Sequence, residues 1–199
     1  MKKLHFILSL CYFLPLVCLT SCTTGSSAIS LPLEEEEATP VALHDSGAVQ
    51  TVRSFLKWYS TAANEAQQIR LYTCGTTAQP ETYRVSKTGQ ARYLALLASS
   101  GNLSGLYIDS LQRYFKEVDE WLIERPSSEG ACEGLDFDLV MDIPCVEPGM
   151  ALEHSSIEDF SVTGHTASVT IHLTAGITQH YRLTQKDGKW WIDQIRKEG

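Results

Sequence analysis

Residues 160–173 read FSVTGHTASVTIHL and residues 181–195 read YRLTQKDGKWWIDQI, and these two stretches decide the fold. Apolar and polar residues alternate along most of each stretch. A period of two is typical of β-strands that bury one face and expose the other. Because each stretch contains a glycine-bearing pair of turn residues, the sequence predicts two hairpins, and hence four antiparallel strands.

The turn residues also predict which side chains face one another. The Asp-Gly pair at 187–188 is a strong signal for a two-residue hairpin turn. It sets Leu183 opposite Ile192 and Arg182 opposite Asp193. A slip by one residue would turn the apolar side chains to the wrong face, so the turn fixes the register.

The other two connections complete a meander. The Gly-His pair at 164–165 favours a similar turn, with glycine at its first central position. The connection between the hairpins must contain an odd number of residues, or the faces would swap. Residues 175–177 meet this condition and predict that His172 lies opposite His180. Two facing imidazoles would begin a metal site or a pH switch, although solvent-facing histidines on strands are far commoner.

The predicted registers separate apolar and polar side chains onto the two faces of the sheet. The apolar face collects Phe160, Val162, Val169, Ile171, Leu173, Tyr181, Leu183, Trp190 and Ile192. The polar face collects Ser161, Ser168, Thr170, His172, His180, Arg182, Thr184, Trp191 and Asp193. Because the two tryptophans are adjacent, one belongs to the core, and the other either packs under a loop or anchors a partner.

Three stretches that precede the sheet have the periodicity of amphipathic helices, namely residues 48–64, 87–99 and 104–124. Residues 126–156 are rich in glycine, proline and acidic residues, and they predict a long loop. The fold class is therefore α+β, with N-terminal amphipathic helices packed on one face of a curved four-stranded antiparallel sheet. A single domain over residues 47–199 accommodates all of these elements.

Residues 1–21 have the layout of a signal peptide. Lys2 and Lys3 form a basic start, and a mainly apolar stretch follows. That stretch is shorter than the roughly 20 apolar residues of a spanning helix, and a retained signal anchor is the alternative. The sequence Leu-Thr-Ser-Cys at 19–22 resembles the bacterial lipobox, in which the cysteine sulfur takes a diacylglycerol. The resemblance implies lipid attachment at Cys22, whereas the plainer alternative is a cleaved leader with an incidental cysteine.

Residues 22–46 predict a flexible acidic tether. They contain Glu34 to Glu37, four adjacent carboxylates that repel one another and extend the chain. Residue 23 is threonine, and in lipoproteins of didermal bacteria an aspartate at that place favours the inner membrane. We therefore expect a lipid-anchored protein of the bacterial cell envelope, on the outer membrane and facing the periplasm.

The net charge narrows the range of partners. It is −8 for the whole chain and becomes −10 if Lys2 and Lys3 leave with the leader. A strongly acidic chain argues against nucleic acid, because phosphate binding needs clustered lysine and arginine. It also argues against electrostatic docking on anionic lipid, so the N-terminal lipid is the expected membrane anchor. The expected partner is an unidentified small ligand or envelope protein.

Three cysteines would remain after lipid attachment, in an oxidising compartment. Cys132 and Cys145 flank a loop and form the expected disulfide, with a bridge from Cys74 to either one as the rival. None of the spacings is CxxC, so neither a redox motif nor a zinc knuckle is indicated.

The chain also resembles a known group of proteins. The ending at 181–195 is similar to the last hairpin of the nuclear transport factor 2-like, or cystatin-like, fold. A helix of this chain is similar to the first helix of that fold, and it contains Phe55, Leu56, Trp58 and Tyr59. With the lipobox, the pattern looks most like the bacterial lipoproteins grouped as domain of unknown function 3828. The resemblance implies a cone-shaped fold with a pocket, and it implies no single activity, because that fold hosts both enzymes and binding modules.

The resemblance also suggests residues for the pocket. Enzymes of that fold place an Asp or a His with a Tyr inside the cone, and the candidates here are Tyr59, Tyr107, Asp109, Tyr114 and Tyr181. Trp190 is a further candidate for the pocket lining. Ordinary core positions explain the tyrosines more simply, and no GxSxG or HExxH motif accompanies them.

Asp136, Asp138 and Asp142 form a DxDxxxD cluster in the long loop. Calcium prefers oxygen ligands of this kind, but the glycine that an EF-hand loop needs at its sixth position is missing. An acidic, solvated loop is the alternative, and no cofactor is expected.

The sequence thus favours a non-enzymatic, lipid-anchored module that binds a ligand or a protein. One alternative is a small hydrolase or isomerase that works inside the cone. Another is an immunity or inhibitor protein for a basic partner, which depends only on the acidic charge.

Overall fold

The computed structural model describes residues 47–73, 83–124, 132, 134–143, 152, 155–173 and 176–198. It contains three helices: α1 (Gly47–Gln68), α2 (Lys87–Ala98) and α3 (Gly105–Glu124). Two short strands, β1 (Tyr72–Thr73) and β2 (Arg84–Val85), pair with each other. The main sheet consists of β3 (Ser156–Thr163), β4 (Thr166–Leu173), β5 (Ile177–Lys186) and β6 (Lys189–Lys197). Its order is β3-β4-β5-β6, antiparallel throughout and open at both edges, so the α+β class and the four-stranded meander are confirmed.

The helices lie where their periodicity predicts them. Helix α1 continues past the predicted end at residue 64, because Ala66 still falls on its buried side. Ser86 caps α2 by accepting a hydrogen bond from the Gly89 amide at 3.1 Å. None of the helices in the described ranges has both the length and the apolar character needed to cross a membrane. The leader, Cys22 and the tether lie outside these ranges.

One face of the sheet is buried and the other is open to solvent. We call them the buried face and the open face. Alternate residues of β4 and β5 are buried, and α1 contacts both β4 and β6 while α3 contacts β6. The buried face consists of Ala167, Val169, Ile171, Leu173, Gln179, Tyr181, Leu183 and Ile192.

Strand β3 departs from the predicted pattern. Phe160 and Val162 were expected on the buried face, but Phe160 is only half-buried and Val162 is 46% exposed. The reason is position, because β3 is an edge strand and the principal helix contacts fall on β4 and β6. Apolar and polar residues therefore alternate along β3 without producing a buried face on that strand.

The connection between the hairpins is shifted from its predicted place. Both two-residue turns are confirmed, but Leu173 pairs with Ile177, so the middle loop is 174–176. His172 consequently faces Thr178, and the prediction that it faces His180 is wrong. Gly176 explains this shift of the loop. It has φ +73°, and the last position of a three-residue hairpin loop needs that conformation.

A β-bulge in β6 changes the second hairpin. Leu183 pairs with Ile192 as predicted, but Arg182 pairs with Gln194, so the predicted pairing of Arg182 with Asp193 is wrong. Asp193 is the extra residue, and it accepts a hydrogen bond from the Thr184 hydroxyl. The bulge reverses the alternation beyond it.

The reversal decides which side chains of β6 reach each face. Without the extra residue, Ile195 would lie on the open face and Arg196 on the buried face. With it, Ile195 pairs with Tyr181 and Arg196 pairs with His180. The bulge therefore delivers a cation to the open face and an apolar side chain to the core.

Candidate functional site

A single buried carboxylate joins the loop 134–143 to helix α1. Asp138 is 6% exposed, and the Tyr59 hydroxyl lies 2.8 and 2.7 Å from its two oxygens. The amides of Val140 and Met141 donate to Oδ1 at 3.0 and 2.8 Å. The Gln67 side chain also hydrogen-bonds to this carboxylate, which therefore has donors from α1 and from its own loop in an interior that is otherwise mostly apolar.

Burial controls the protonation of this cluster. Loss of hydration raises the pKa of the Asp138 carboxyl, and the hydrogen bonds from Met141, Tyr59 and Val140 offset part of that rise. The pKa of Tyr59 is raised well above its ordinary value, chiefly by burial and also by the charge on Asp138. The Tyr59 hydroxyl therefore stays protonated and donates its hydrogen bond. The Asp138 carboxyl is a weaker acid than an exposed aspartate.

A cavity of about 380 Å³ borders this carboxylate. Tyr93 and Asp138 line it with residues from α1, from β1 and from the loop 134–143. Tyr93 is itself 3% exposed, so its contribution is part of a packed wall. The cavity brings a titratable group near the surface, but the Asp138 carboxylate already accepts hydrogen bonds from Tyr59, Val140 and Met141.

The predicted pocket residues separate into core and surface positions. Tyr59 and Tyr181 are fully buried, and the Tyr181 hydroxyl donates to Gln179 Oε1 at 2.6 Å. Tyr107 is buried as well, whereas Tyr114 is half-buried and donates to the Gly134 carbonyl at 2.6 Å. Burial raises the pKa of Tyr114 to about 12.

Two further candidates are not fully buried. Trp190 is half-buried, packs against the edge of the core and lies beside Gly47, at the start of α1. Asp109 is exposed on α3, so it does not lie inside the fold as a pocket residue would. A cavity does border Tyr107 and Tyr114, with a volume of about 450 Å³, and its other walls come from α3, β6 and the loop 134–143.

The three loop aspartates do not assemble into a ligand set. Within the ranges that the structure describes, no group of three His, Cys, Asp or Glu side chains is arranged to hold a metal ion. Asp138 points inward to Tyr59, whereas Asp136 and Asp142 are exposed. The buried carboxylate of the loop, that of Asp138, therefore holds the loop against α1 through its hydrogen bond with Tyr59.

The cysteine pairing stays a prediction. Cys132 is buried, 1% exposed, next to the loop that carries Asp138. Cys74 and Cys145 lie outside the described residues.

The open face of the sheet carries a polar groove with a volume of about 460 Å³. Cross-strand pairing aligns Ser168, Arg182 and Gln194 in one row, and His180 with Arg196 in the next. We call this feature the groove, and it is lined by Ser161, Thr163, Thr166, Ala167, Ser168, His180, Tyr181, Arg182, Gln194 and Arg196.

The cations of the groove are available to a ligand. His180 Nδ1 lies 2.9 Å from the Thr170 hydroxyl, and its Nε2 lies 4.0 Å from a Glu198 oxygen. In contrast, the guanidinium group of neither Arg182 nor Arg196 forms a hydrogen bond or an ion pair with any part of the chain that the structure describes. Two such guanidinium groups on one face favour a carboxylate or a phosphate.

The charge of the chain is unevenly distributed. Residues 22–46 contain five acidic residues and no basic one, which is half of the −10 of the chain without its leader. The domain over residues 47–199 contains fourteen Lys and Arg against nineteen Asp and Glu, which is the other half. The lining of the groove, however, contains Arg182, Arg196 and His180 and none of these acidic residues, so the argument from net charge against anionic ligands does not extend to it.

A second surface cavity lies beside Trp191. It has a volume of about 600 Å³ and includes Leu106, which is 66% exposed. The Lys189 ammonium lies 4.0 Å from the centre of the Trp191 ring, so this tryptophan already has a cation–π partner.

Part of this arrangement was absent from the sequence analysis. The bulge at Asp193 has no clear signature in the strand pattern, so Gln194 and Arg196 were not assigned to the open face. The buried position of Asp138 was also missed, although its place in an Asp-Phe-Asp-Leu-Val-Met stretch at 136–141 offers an apolar signal. Comparison of the chain with protein-family models, with curated proteins and with solved structures gave no match.

Proposed function

We propose that this chain is a lipid-anchored protein of the bacterial cell envelope, whose domain is a non-enzymatic binding module. The leader, the lipobox ending in Cys22 and the acidic tether support the anchor and a place on the outer membrane, facing the periplasm. The α+β elements support a cone-like, cystatin-like arrangement with the helices over one face of a curved sheet. The resemblance to the lipoproteins of domain of unknown function 3828 belongs to the same proposal.

Binding explains the interior better than catalysis does. Phe55, Tyr59, Phe115 and Tyr181 are each fully buried, so large side chains fill the space between the helices and the sheet. The carboxylate of Asp138 already accepts hydrogen bonds from a hydroxyl and from two backbone amides. A general base needs a free oxygen within reach of its substrate.

The open face supplies the binding site of this proposal. The single observation that carries it is that the guanidinium groups of Arg182 and Arg196 have no partner in the part of the chain that the structure describes. Serine and threonine hydroxyls beside them add neutral donors. The ligand is therefore expected to carry carboxylate or phosphate groups, and a small organic anion is the simplest form.

The site is tested by following the amide resonances of the chain from residue 22, with Cys22→Ser to keep it soluble, during a titration with citrate. We expect shifts at Ser168, Arg182 and Arg196. Arg182→Gln should weaken citrate binding about tenfold or more, because a charge-assisted pair is lost. Arg113→Gln, at an exposed position on α3, is the matched control and should bind normally. Shifts confined to the cavities at Asp138 or Trp191 would overturn the assignment.

The anchor is tested separately in cells. Cys22→Ser should abolish labelling by a palmitate analogue and release the protein from the membrane fraction. Labelling and retention that match those of the unchanged protein would refute the lipid anchor.

One observation favours an enzyme as the second candidate. Asp138 has a raised pKa and borders a cavity, which is the setting of a general acid or base. A hydrolase or isomerase of this kind would lose its activity in Asp138→Asn while the fold stays intact. The inhibitor of a basic partner receives no comparable support, because it depends only on the net charge of the chain and on no particular arrangement of residues.

A further inference from the structure

The groove shares one residue with a second cavity of different chemistry. Arg196 lines the groove, and it also lines the cavity of about 450 Å³ between α3, β6 and the loop 134–143, which we call the side cavity. We propose that the side cavity holds the alkyl chain of a ligand whose carboxylate binds Arg196. The ligand is then a fatty carboxylate, with one charged end and one apolar end. The proposed function is a premise here, because the groove is taken to be an anion site.

The side cavity lies along the edge of the sheet. Strand β6 is the last in the sheet, and three consecutive residues of it, 195–197, border this cavity. Neighbouring residues of a strand point to opposite faces, so three in a row indicate that the cavity faces the strand's edge. Asn102 and Ser104 cover the same edge at Ile192 through hydrogen bonds of 2.8 and 2.9 Å, and the cavity lies further along. A ligand in the side cavity can therefore reach Arg196 without crossing the sheet.

Aliphatic and aromatic side chains form most of the lining of the side cavity. Leu111 and Tyr114 come from α3, Phe137 and Leu139 from the loop, and Ile195 from β6. Leu111 is buried and the other four are half-buried, so they offer apolar surface while they stay packed against the core. The volume falls within the range of about 300–1,000 Å³ that is typical of small-molecule sites. An alkyl chain that enters this cavity leaves water, which favours binding.

The charges beside the side cavity favour an anionic end on the ligand. Arg196 and Lys197 line it with one acidic residue, Asp142. The Lys197 ammonium donates to the main-chain carbonyl of Asp142 at 3.1 Å, so one positive charge is fixed there. The Arg196 guanidinium has no partner among the described residues. A guanidinium binds a carboxylate through two parallel hydrogen bonds, so Arg196 is the expected contact of the charged end.

The length of the alkyl chain is the variable that tests the inference. The chain from residue 22 with Cys22→Ser is titrated with butyrate and with octanoate, and both affinities are read from the amide resonances. The two probes carry the same carboxylate, so a difference between them reports the alkyl chain. Because each methylene group that leaves water strengthens binding roughly fourfold, octanoate should bind about tenfold or more tightly than butyrate, with shifts at Ser110 and Leu139. Equal affinities of butyrate and octanoate would overturn the inference.

A substitution beside the side cavity tests whether the gain arises there. Ser110 is exposed on α3 and lines the cavity, so Ser110→Trp should fill it without altering the core. Octanoate should then bind no more tightly than butyrate. Ser54→Trp, at an exposed position on α1, is the matched control and should keep the preference for octanoate. Octanoate affinity that Ser110→Trp leaves unchanged would overturn the inference, and if the variant instead splits a dimer in sedimentation, a second copy is the occupant.

Citrate separates failure of the inference from failure of the anion site. Arg196→Gln should weaken butyrate and octanoate by similar factors, because both place their carboxylate at this residue. If citrate binds the groove while octanoate gains nothing over butyrate, the inference fails and the anion site stands. If neither citrate nor the two alkyl carboxylates shift the resonances of Arg182 and Arg196, the anion site itself is refuted.

Discussion

The buried face and the open face of the sheet are formed by the same strands but have different roles. On β5, Tyr181 and Leu183 are fully buried, whereas Arg182 between them is exposed and has no partner in the described part of the chain. The buried face satisfies its few polar groups internally, as in the hydrogen bond from Tyr181 to Gln179. On the open face, the guanidinium groups of Arg182 and Arg196 have no partner among the described residues. The difference separates what stabilises the domain from what is available for recognition.

Substitution of neighbours on β5 gives the largest expected contrast. Leu183→Ala should lower the free energy of unfolding by about 2–5 kcal/mol, because a fully buried leucine leaves a cavity. Arg182→Ala should change it by only about 0.5 kcal/mol or less, since the side chain is exposed and unpaired. Urea unfolding followed by tryptophan fluorescence measures both. Similar losses at the two positions would erase the distinction between the faces.

The Asp138 cluster tests whether a buried polar group stabilises the domain as the apolar side chains do. Asp138→Ala should cost about 2–4 kcal/mol, because the Tyr59 hydroxyl and the amides of Val140 and Met141 lose their acceptor. Asp138→Asn keeps a carbonyl oxygen for the two amides and should cost clearly less. The same urea experiment measures both variants, and an alanine variant as stable as the unchanged protein would show that the cluster has no structural role.

An ion pair away from both faces gives an intermediate effect. Arg84 donates two hydrogen bonds to Asp119 at 2.9 and 2.7 Å, and this pairing lowers the pKa of Asp119 to about 2. The stabilisation is present above about pH 4 and is lost as the pH falls towards the folded-state value. Arg84→Gln should cost about 1 kcal/mol at neutral pH, discounted because half of the arginine is exposed. A cost that persists unchanged at about pH 2 would contradict this origin.

The pH dependence of Asp138 has the opposite sign and is the smallest effect. Its pKa is raised, so its contribution to stability is fully present below about pH 4 and is lost as the pH rises through the folded-state value. The stability of Asp138→Asn relative to the unchanged protein should therefore improve between about pH 4 and about pH 7. Asp109→Asn, at an exposed position, should show no such trend. If the free energy of unfolding changes with pH in parallel for the unchanged protein and Asp138→Asn, a raised pKa of Asp138 does not contribute to stability.

The sequence predicts the buried face better than the open one, for a physical reason. Apolar periodicity reports burial, so the helical period located the three described helices, and strand alternation with turn residues located the meander and the pairing of Leu183 with Ile192. They report nothing about an inserted residue such as Asp193, because a bulge leaves composition unchanged. The position of Gly176 could have been predicted from the φ requirement of its loop, and that would have corrected the histidine register.

The central claim is that the open face binds anions without contributing to stability. The most direct test measures citrate affinity by calorimetry and the free energy of unfolding on one chain that carries both Arg182→Gln and Arg196→Gln. We predict that citrate binding is lost while stability stays within about 0.5 kcal/mol of the unchanged protein. Citrate binding of undiminished affinity in this stable, folded variant would contradict the account.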